Sequence, residues 1–164
     1  MVEYFDVVDR NDKVIGKATR QECHSNNRLI HRAVCILVFN SKKELLFEKR
    51  SMKKDMEPGK WGLVAGHVDA GESYEHAARR EMLEEIGVSC SSLKIEHSIL
   101  FTEKRESEII KIFSCNHDGP FKVNKQESDE IRFFKQNEIK DALKTGSISI
   151  TQSDMQILND FFKN

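Results

Sequence analysis

The chain has 164 residues, 38% hydrophobic and 32% charged, with a formal net charge of −1 at pH 7. This is the composition of an ordinary soluble globular protein, and the length suits a single domain over residues 1–164 with its own core. Near-neutrality excludes a bulk electrostatic pull toward nucleic acid or a membrane surface, so any phosphate recognition must be local.

In chain order, the N-terminal MVEYFDVVDR lacks the basic-then-apolar pattern of a signal peptide. Residues 3–9 and 14–18 read as two short strands joined by a turn at 10–13. Such an N-terminal hairpin can also serve a homodimer interface. Residues 19–27 are polar and suit a loop or one helical turn. His31 to Phe39 is the strongest strand, apolar on both faces. Within it, Ala33 to Phe39 is the longest wholly apolar run, far too short to cross a bilayer. A turn at 40–43 leads to a second strand over 44–50, and the two read as a central hairpin. Residues 51–60 (SMKKDMEPGK) form a basic loop, and 61–64 are short and apolar. Beyond the middle of the chain, strands are expected over 93–103, 108–115 and 131–134, with a tight charged turn at 104–107. Helices are expected over 138–144 and 153–162, the second presenting Met155, Leu158 and Phe162 on one face. Strands on both sides of a central helix predict a mixed α/β sandwich. Cys23, Cys35, Cys90 and Cys115 have no CxxC or zinc-type spacing, as expected of reduced thiols in a cytoplasmic protein.

The stretch from Gly66 to Val88, GHVDAGESYEHAARREMLEEIGV, organises the rest. Gly66 and Gly71 frame a turn, where glycine reaches positive φ without strain. Glu72 and Ser73 open a helix of good helix formers that Gly87 can close. At 100° per residue, Ala78, Met82 and Ile86 share a core-facing side, while Glu81, Glu84 and Glu85 share another. Three adjacent carboxylates repel one another and need basic side chains or divalent cations. Oxygen-only ligands on a helix suit Mg²⁺ or Mn²⁺.

The spacing of Gly66, Glu72, Arg80, Glu81, Glu84, Glu85 and Gly87 resembles the Nudix box, G-x5-E-x7-R-E-U-x-E-E-x-G-U, with Met82 in the bulky aliphatic place. At about 6% per residue type, seven chance matches have a likelihood on the order of 10⁻⁹ to 10⁻⁸. The resemblance implies an α/β/α sandwich with a mixed sheet between helices, and metal-dependent hydrolysis of a pyrophosphate bond in a small-molecule diphosphate. It implies that Glu81 and Glu85 are the main metal ligands, aided by Glu84 and the Gly66 carbonyl, and that Arg80 pairs with Glu72 to fix the loop against the helix. Arg80, Glu84 and Glu85 are thus the candidate catalytic residues and Glu72 a supporting one. The general base is open among the box glutamates and Glu106, Glu108, Glu127 and Glu130. Arg50, Lys53 and Lys54 are candidate phosphate contacts, and Trp61 is a candidate either for nucleobase stacking or for packing.

The flanks resemble a particular branch of this superfamily, the type 1 isopentenyl diphosphate isomerases. His24, His31, His67, Glu106 and Glu108 stand in the relative places of that family's metal site, and KKDMEPGKWGLVAGH resembles the segment before its catalytic cysteine. The cysteine's place holds Ala65, which has no proton to move, and Cys23 and Cys35 lie elsewhere in the sequence. The chain also keeps the whole hydrolase box. The leading expectation is therefore a Mg²⁺-dependent or Mn²⁺-dependent pyrophosphohydrolase acting on a nucleoside di- or triphosphate, or on a nucleoside diphosphate linked to another group. An isopentenyl-diphosphate-isomerase-like enzyme and a non-catalytic nucleotide-binding module are the alternatives. The three histidines form a candidate second metal site that favours a softer ion.

Overall fold

The computed structural model describes residues 2–54 and 56–163; Met1, Asn164 and Asp55 of the basic loop lie outside the described residues. Strand β1 (Tyr4–Val8) pairs antiparallel with β2 (Val14–Thr19). The turn between them is closed by Asp9, whose Oδ1 accepts from the backbone N–H of Asn11 at 2.8 Å and of Lys13 at 3.0 Å. A single helical turn, α1 (Arg20–Cys23), follows, held by a capping box between Thr19 and Glu22.

Strand β3 (Ile30–Phe39) is the hub. It runs parallel to β8 (Ser107–Asn116) along its whole length and antiparallel to β6 (Val64–His67). Strand β4 (Leu45–Arg50) instead pairs with β9 (Ser128–Phe134) and the two-residue β5 (Trp61–Gly62). The expected central hairpin is therefore real only at its base: β3 and β4 share one pair, Phe39 with Leu45, and then diverge. The reason is competition for edges, since β6 and β8 occupy the hydrogen-bonding edges of β3. The opening between the diverging strands is the cleft described below. Strand β7 (Lys94–Thr102) completes the sheet against β8.

Helix α2 (Tyr74–Ile86) covers one face. Ser73 caps it, its Oγ accepting from His76 N at 3.2 Å, and Gly87 ends it at φ 68°. Ala77, Ala78, Met82 and Ile86 pack on Val34, Ile36, Val38, Leu46 and Val64. Fully burying Met82 and Ile86 contributes about 1.5–3 kcal/mol each. On the opposite face, Ala33, Cys35, Leu37 and Phe47 pack against α3 (Gln136–Thr145) and α4 (Gln152–Phe161) through Ile139, Ala142, Ile157 and Leu158. A mixed sheet between helices results, as the sequence implied.

Three local expectations need correction. Strand β9 begins at Ser128 rather than 131, because pairing with β4 extends it across polar residues. In α4 the buried positions are Asp154, Ile157 and Leu158, and Met155 points outward. The 104–107 segment is not wholly a charged surface turn, since Glu106 and Ser107 are buried and Ser107 already belongs to β8. Among the described residues no helix is long and apolar enough to cross a membrane.

Candidate active site

The box residues fold onto one another through Arg80. Its Nε and Nη2 donate to both carboxylate oxygens of Glu72 at 3.0 and 2.9 Å, a bidentate fork. Its Nη1 reaches Glu81 Oε1 at 2.6 Å and Glu84 Oε2 at 3.3 Å, and its Nη2 also donates to the carbonyl of His67 at 2.9 Å. One guanidinium thus ties the loop to three carboxylates. Burial opposes ionisation of Glu72, yet bonds from Arg80, His76 and the Asp69 N–H pull its pKa down to about 2.

Gly66 is required for space rather than for conformation. It lies within β6, and a Cβ there would stand 2.0 Å from the Glu81 carboxyl carbon. Positive φ is needed at Gly71, at 82°, so only one of the two framing glycines has the expected role. The carboxylates divide on α2: Glu81 and Glu85 are half-buried, while the Glu84 side chain is 54% exposed and outside the cleft lining. Glu85 Oε2 accepts from Ala65 N at 3.2 Å.

A further acid, Glu48, meets this group from β4. Leu46, two residues earlier on the same strand face, packs toward α2, so alternation aims Glu48 at the helix. Glu48 is 4% exposed, with its carboxyl against Glu85 and its Oε1 buried without a hydrogen-bond partner. Burial is the main cause that raises Glu48 and Glu81 to about 7. Burial, followed by the charges of Glu48 and Glu81, raises Glu85 well above its ordinary range. In sequence Glu48 is one acid in a strand followed by Lys49 and Arg50, and nothing local marks it.

Glu48 and Glu85 line a cleft of about 520 Å³, with Glu81 against Gly66 of the same lining. Arg50, Lys53 and Lys54 line it too. Arg50 donates to the Met56 carbonyl at 3.0 and 3.2 Å, and Lys54 pairs with Glu127. Glu127 is on the lining as well, whereas Glu130 is exposed and outside it. Trp61 is not on the lining; its ring packs edge-on against Phe134 at 5.2 Å, a packing role.

At the other end of the cleft the second candidate group comes together. The parallel register places His31 beside Glu108, the antiparallel register places His67 beside Ala33, and His24 caps α1. His24 Nε2 lies 3.1 Å from His67 Nε2 and 3.5 Å from Glu106 Oε2. Glu108 Oε1 lies 3.2 Å from His31 Nε2 and 3.3 Å from His67 Nε2. Phe5 stacks on His31 and His67, with centroids 5.1 and 4.9 Å away. Burial would raise Glu108, yet contacts from His31 and His67 hold it well below the usual carboxylate range. Burial, then its histidine neighbours, lowers His24 to about 4, and burial raises Glu106 to about 7. His31 Nδ1 is buried without a partner, while His31 Nε2 and Glu106 Oε2 have only the ion-pair contacts to Glu108 and His24 and no well-aligned hydrogen bond. His24, His31 and His67, and likewise His31, Glu106 and Glu108, offer ligand atoms within 4.8 Å of one another. Orphaned donors and acceptors of this kind fit a metal ion.

Set against known proteins, residues 29–153 match the family model described as the NUDIX domain. The chain belongs to the Nudix hydrolase family. A Nudix hydrolase of Yersinia pestis described as uncharacterized is 33% identical, over 95% of this chain and 90% of the relative. An isopentenyl-diphosphate Delta-isomerase 2 of Photorhabdus laumondii is also 33% identical, over 81% of this chain and 77% of the relative. The fold superposes on a Deinococcus radiodurans crystal structure with a TM-score of 0.81 at 21% identity, covering 96% of this chain and 98% of that one. Both sequence-level resemblances thus have counterparts among these Nudix relatives.

Though distant in sequence from Ala65, Cys35 is the cross-strand partner of that residue and lines the same cleft. It is fully buried, and burial pushes its thiol well above the ordinary range.

Proposed function

We propose that this Nudix enzyme hydrolyses a pyrophosphate bond in a nucleoside di- or triphosphate, or in a nucleoside diphosphate linked to another group, with Mg²⁺ or Mn²⁺. The reading rests on one observation: Glu81 and Glu85 meet the Gly66 segment of β6, and Gly66 and Glu85 share a cleft lining with Arg50, Lys53 and Lys54. Glu81, Glu85 and the Gly66 carbonyl hold the cation, with Glu84 joining from the exposed rim. A bound divalent cation neutralises phosphate oxygens and makes a coordinated water more acidic. The protein does the rest. Arg80 fixes Glu81 and Glu84 and holds the loop through Glu72, so the carboxylates keep one geometry. Arg50, Lys53 and Lys54 bind the outer phosphate. Glu127, on the cleft lining and paired with Lys54, is the proposed general base for the attacking water. Four buried free cysteines suit a cytoplasmic setting.

The test is a hydrolysis panel with Mg²⁺ and with Mn²⁺: nucleoside di- and triphosphates, ADP-ribose, NADH, dinucleoside polyphosphates, CoA and nucleotide sugars. One clear winner whose turnover stops with EDTA is the expected result. No turnover across the panel in either metal rules the reading out.

A second reading is an isopentenyl-diphosphate-isomerase-like activity with a softer metal in the histidine cluster. It is favoured by the gathering of His24, His67, Glu106 and Glu108 on the same cleft lining, with His31 buried among them. Cys35 opposite Ala65 adds a thiol near the place where the sequence has none. Isopentenyl diphosphate returned unchanged by metal-loaded protein eliminates it. Isomerisation lost in Cys35→Ala supports it.

A further inference from the structure

We propose that Glu48 is a further protein ligand of the cation held by Glu81 and Glu85, contributed from β4 outside the box. The inference rests on the metal centre proposed above. Glu48 is more than nine-tenths buried, lines the cleft and leaves Oε1 without a hydrogen-bond partner. Its carboxyl lies against that of Glu85, which is itself flanked by Glu81. A buried carboxylate pair is unfavourable unless a cation or a shared proton sits between its members.

Three of the basic side chains nearby have their direct contacts elsewhere. Lys54 pairs with Glu127, Arg50 is turned to the Met56 carbonyl, and Arg80 is committed to Glu72, Glu81 and Glu84. Among the described residues no lysine or arginine forms an ion pair with Glu48 or Glu85. A shared proton relieves the Glu48–Glu85 pair alone, whereas a divalent cation relieves it together with the neighbouring Glu81. Glu81 and Glu85 from the helix and Glu48 from the sheet would hold that cation, an all-oxygen set of the kind Mg²⁺ and Mn²⁺ take. Carboxylates from two separate elements also make the centre depend on the packing of α2 against the β4 half of the sheet.

The experiment is calorimetric titration of the full chain with Mn²⁺, paired with melting temperature in EDTA and in Mn²⁺ at pH 8. Glu85→Gln first identifies which binding class belongs to the box. Glu48→Gln is then expected to weaken that same class at least about tenfold and to lose most of the Mn²⁺-induced rise in Tm. In EDTA its Tm should equal or exceed that of the parent chain, because a neutral amide relieves the repulsion with Glu85. Glu48→Asp, which keeps the charge on a shorter stem, should fall between Gln and the parent chain. Wild-type Mn²⁺ affinity in Glu48→Gln, with Glu85→Gln impaired, overturns the role of Glu48 and leaves the box centre standing. No Glu85-sensitive class at all overturns the box centre and this inference together.

Discussion

The two ends of the cleft solve the problem of buried charge differently. At the box end, three carboxyls, Glu48, Glu81 and Glu85, crowd together, and one arginine serves only the Glu81 side. Their pKa values rise. At the histidine end, carboxylates alternate with imidazoles, and Glu108 is held ionised by His31 and His67. The first cluster is strongly under-compensated by the protein and therefore calls for a hard cation. The second is compensated at Glu108 but not at Glu106, and it offers mixed nitrogen and oxygen donors, a softer set. Two clusters a few strands apart in one fold thus differ in what they would bind because of which residue types share the burial.

The largest way to break that contrast is Gly66→Ala. The added methyl meets the Glu81 carboxyl, the movable end of a side chain, so the fold should survive while Glu81 is displaced. Metal-supported turnover is expected to fall about 10²-fold or more, with circular dichroism unchanged. His31→Asn attacks the other end. Uptake of Co²⁺, read from its visible spectrum, is expected to weaken about 10–100-fold, with the Glu85-sensitive Mn²⁺ class retained.

Glu72→Gln sharpens the account of the Arg80 clamp. Losing a charge-assisted fork is expected to cost about 1.5–3 kcal/mol in denaturant unfolding at pH 7. The folded pKa of about 2 lies below the usual 4.5, so this stabilisation is complete above about pH 4.5 and disappears as pH falls through 2. Mutant and parent should therefore converge in strong acid. The smallest effect belongs to Asp154, which lies on the cleft wall apart from both clusters and accepts from Thr151 Oγ1 at 2.5 Å and Leu63 N at 3.0 Å. Burial raises it to about 6, so the stability it contributes is present in acid and is lost as pH rises from about 4 through 6. Asp154→Asn should remove about 1–2 kcal/mol of that pH dependence, seen in unfolding curves at pH 4 and pH 8.

Legibility in the sequence followed locality. The box helix was readable because its period, its cap at Ser73 and its stop at Gly87 lie within one short stretch. The histidine cluster was readable only through a resemblance, because His24, His31, His67, Glu106 and Glu108 meet by strand pairing across more than eighty residues. Glu48 was not readable at all: its partner Glu85 sits on another element, and only the alternation of β4 under α2 joins them. The divergence of β3 from β4 was hidden for the same reason. A turn at 40–43 says that the chain reverses there, but not that β6 and β8 will take the edges of β3 first. Met155 was misassigned because α4 buries Asp154 and Ile157 in its place, and an acid on a core face reads as solvent-facing until Thr151 and Leu63 are seen to satisfy it.

Metal-dependent hydrolysis is the proposed role of the box carboxylates. The most direct measurement is phosphate-bond hydrolysis of the best panel substrate by the parent chain and by Glu85→Gln, in Mg²⁺ and in EDTA, with folding checked by Tm. Turnover is expected only for the parent chain in Mg²⁺, with a drop of about 10²–10³-fold or more in folded Glu85→Gln. Equal turnover in the variant, or turnover that persists in EDTA, contradicts that role.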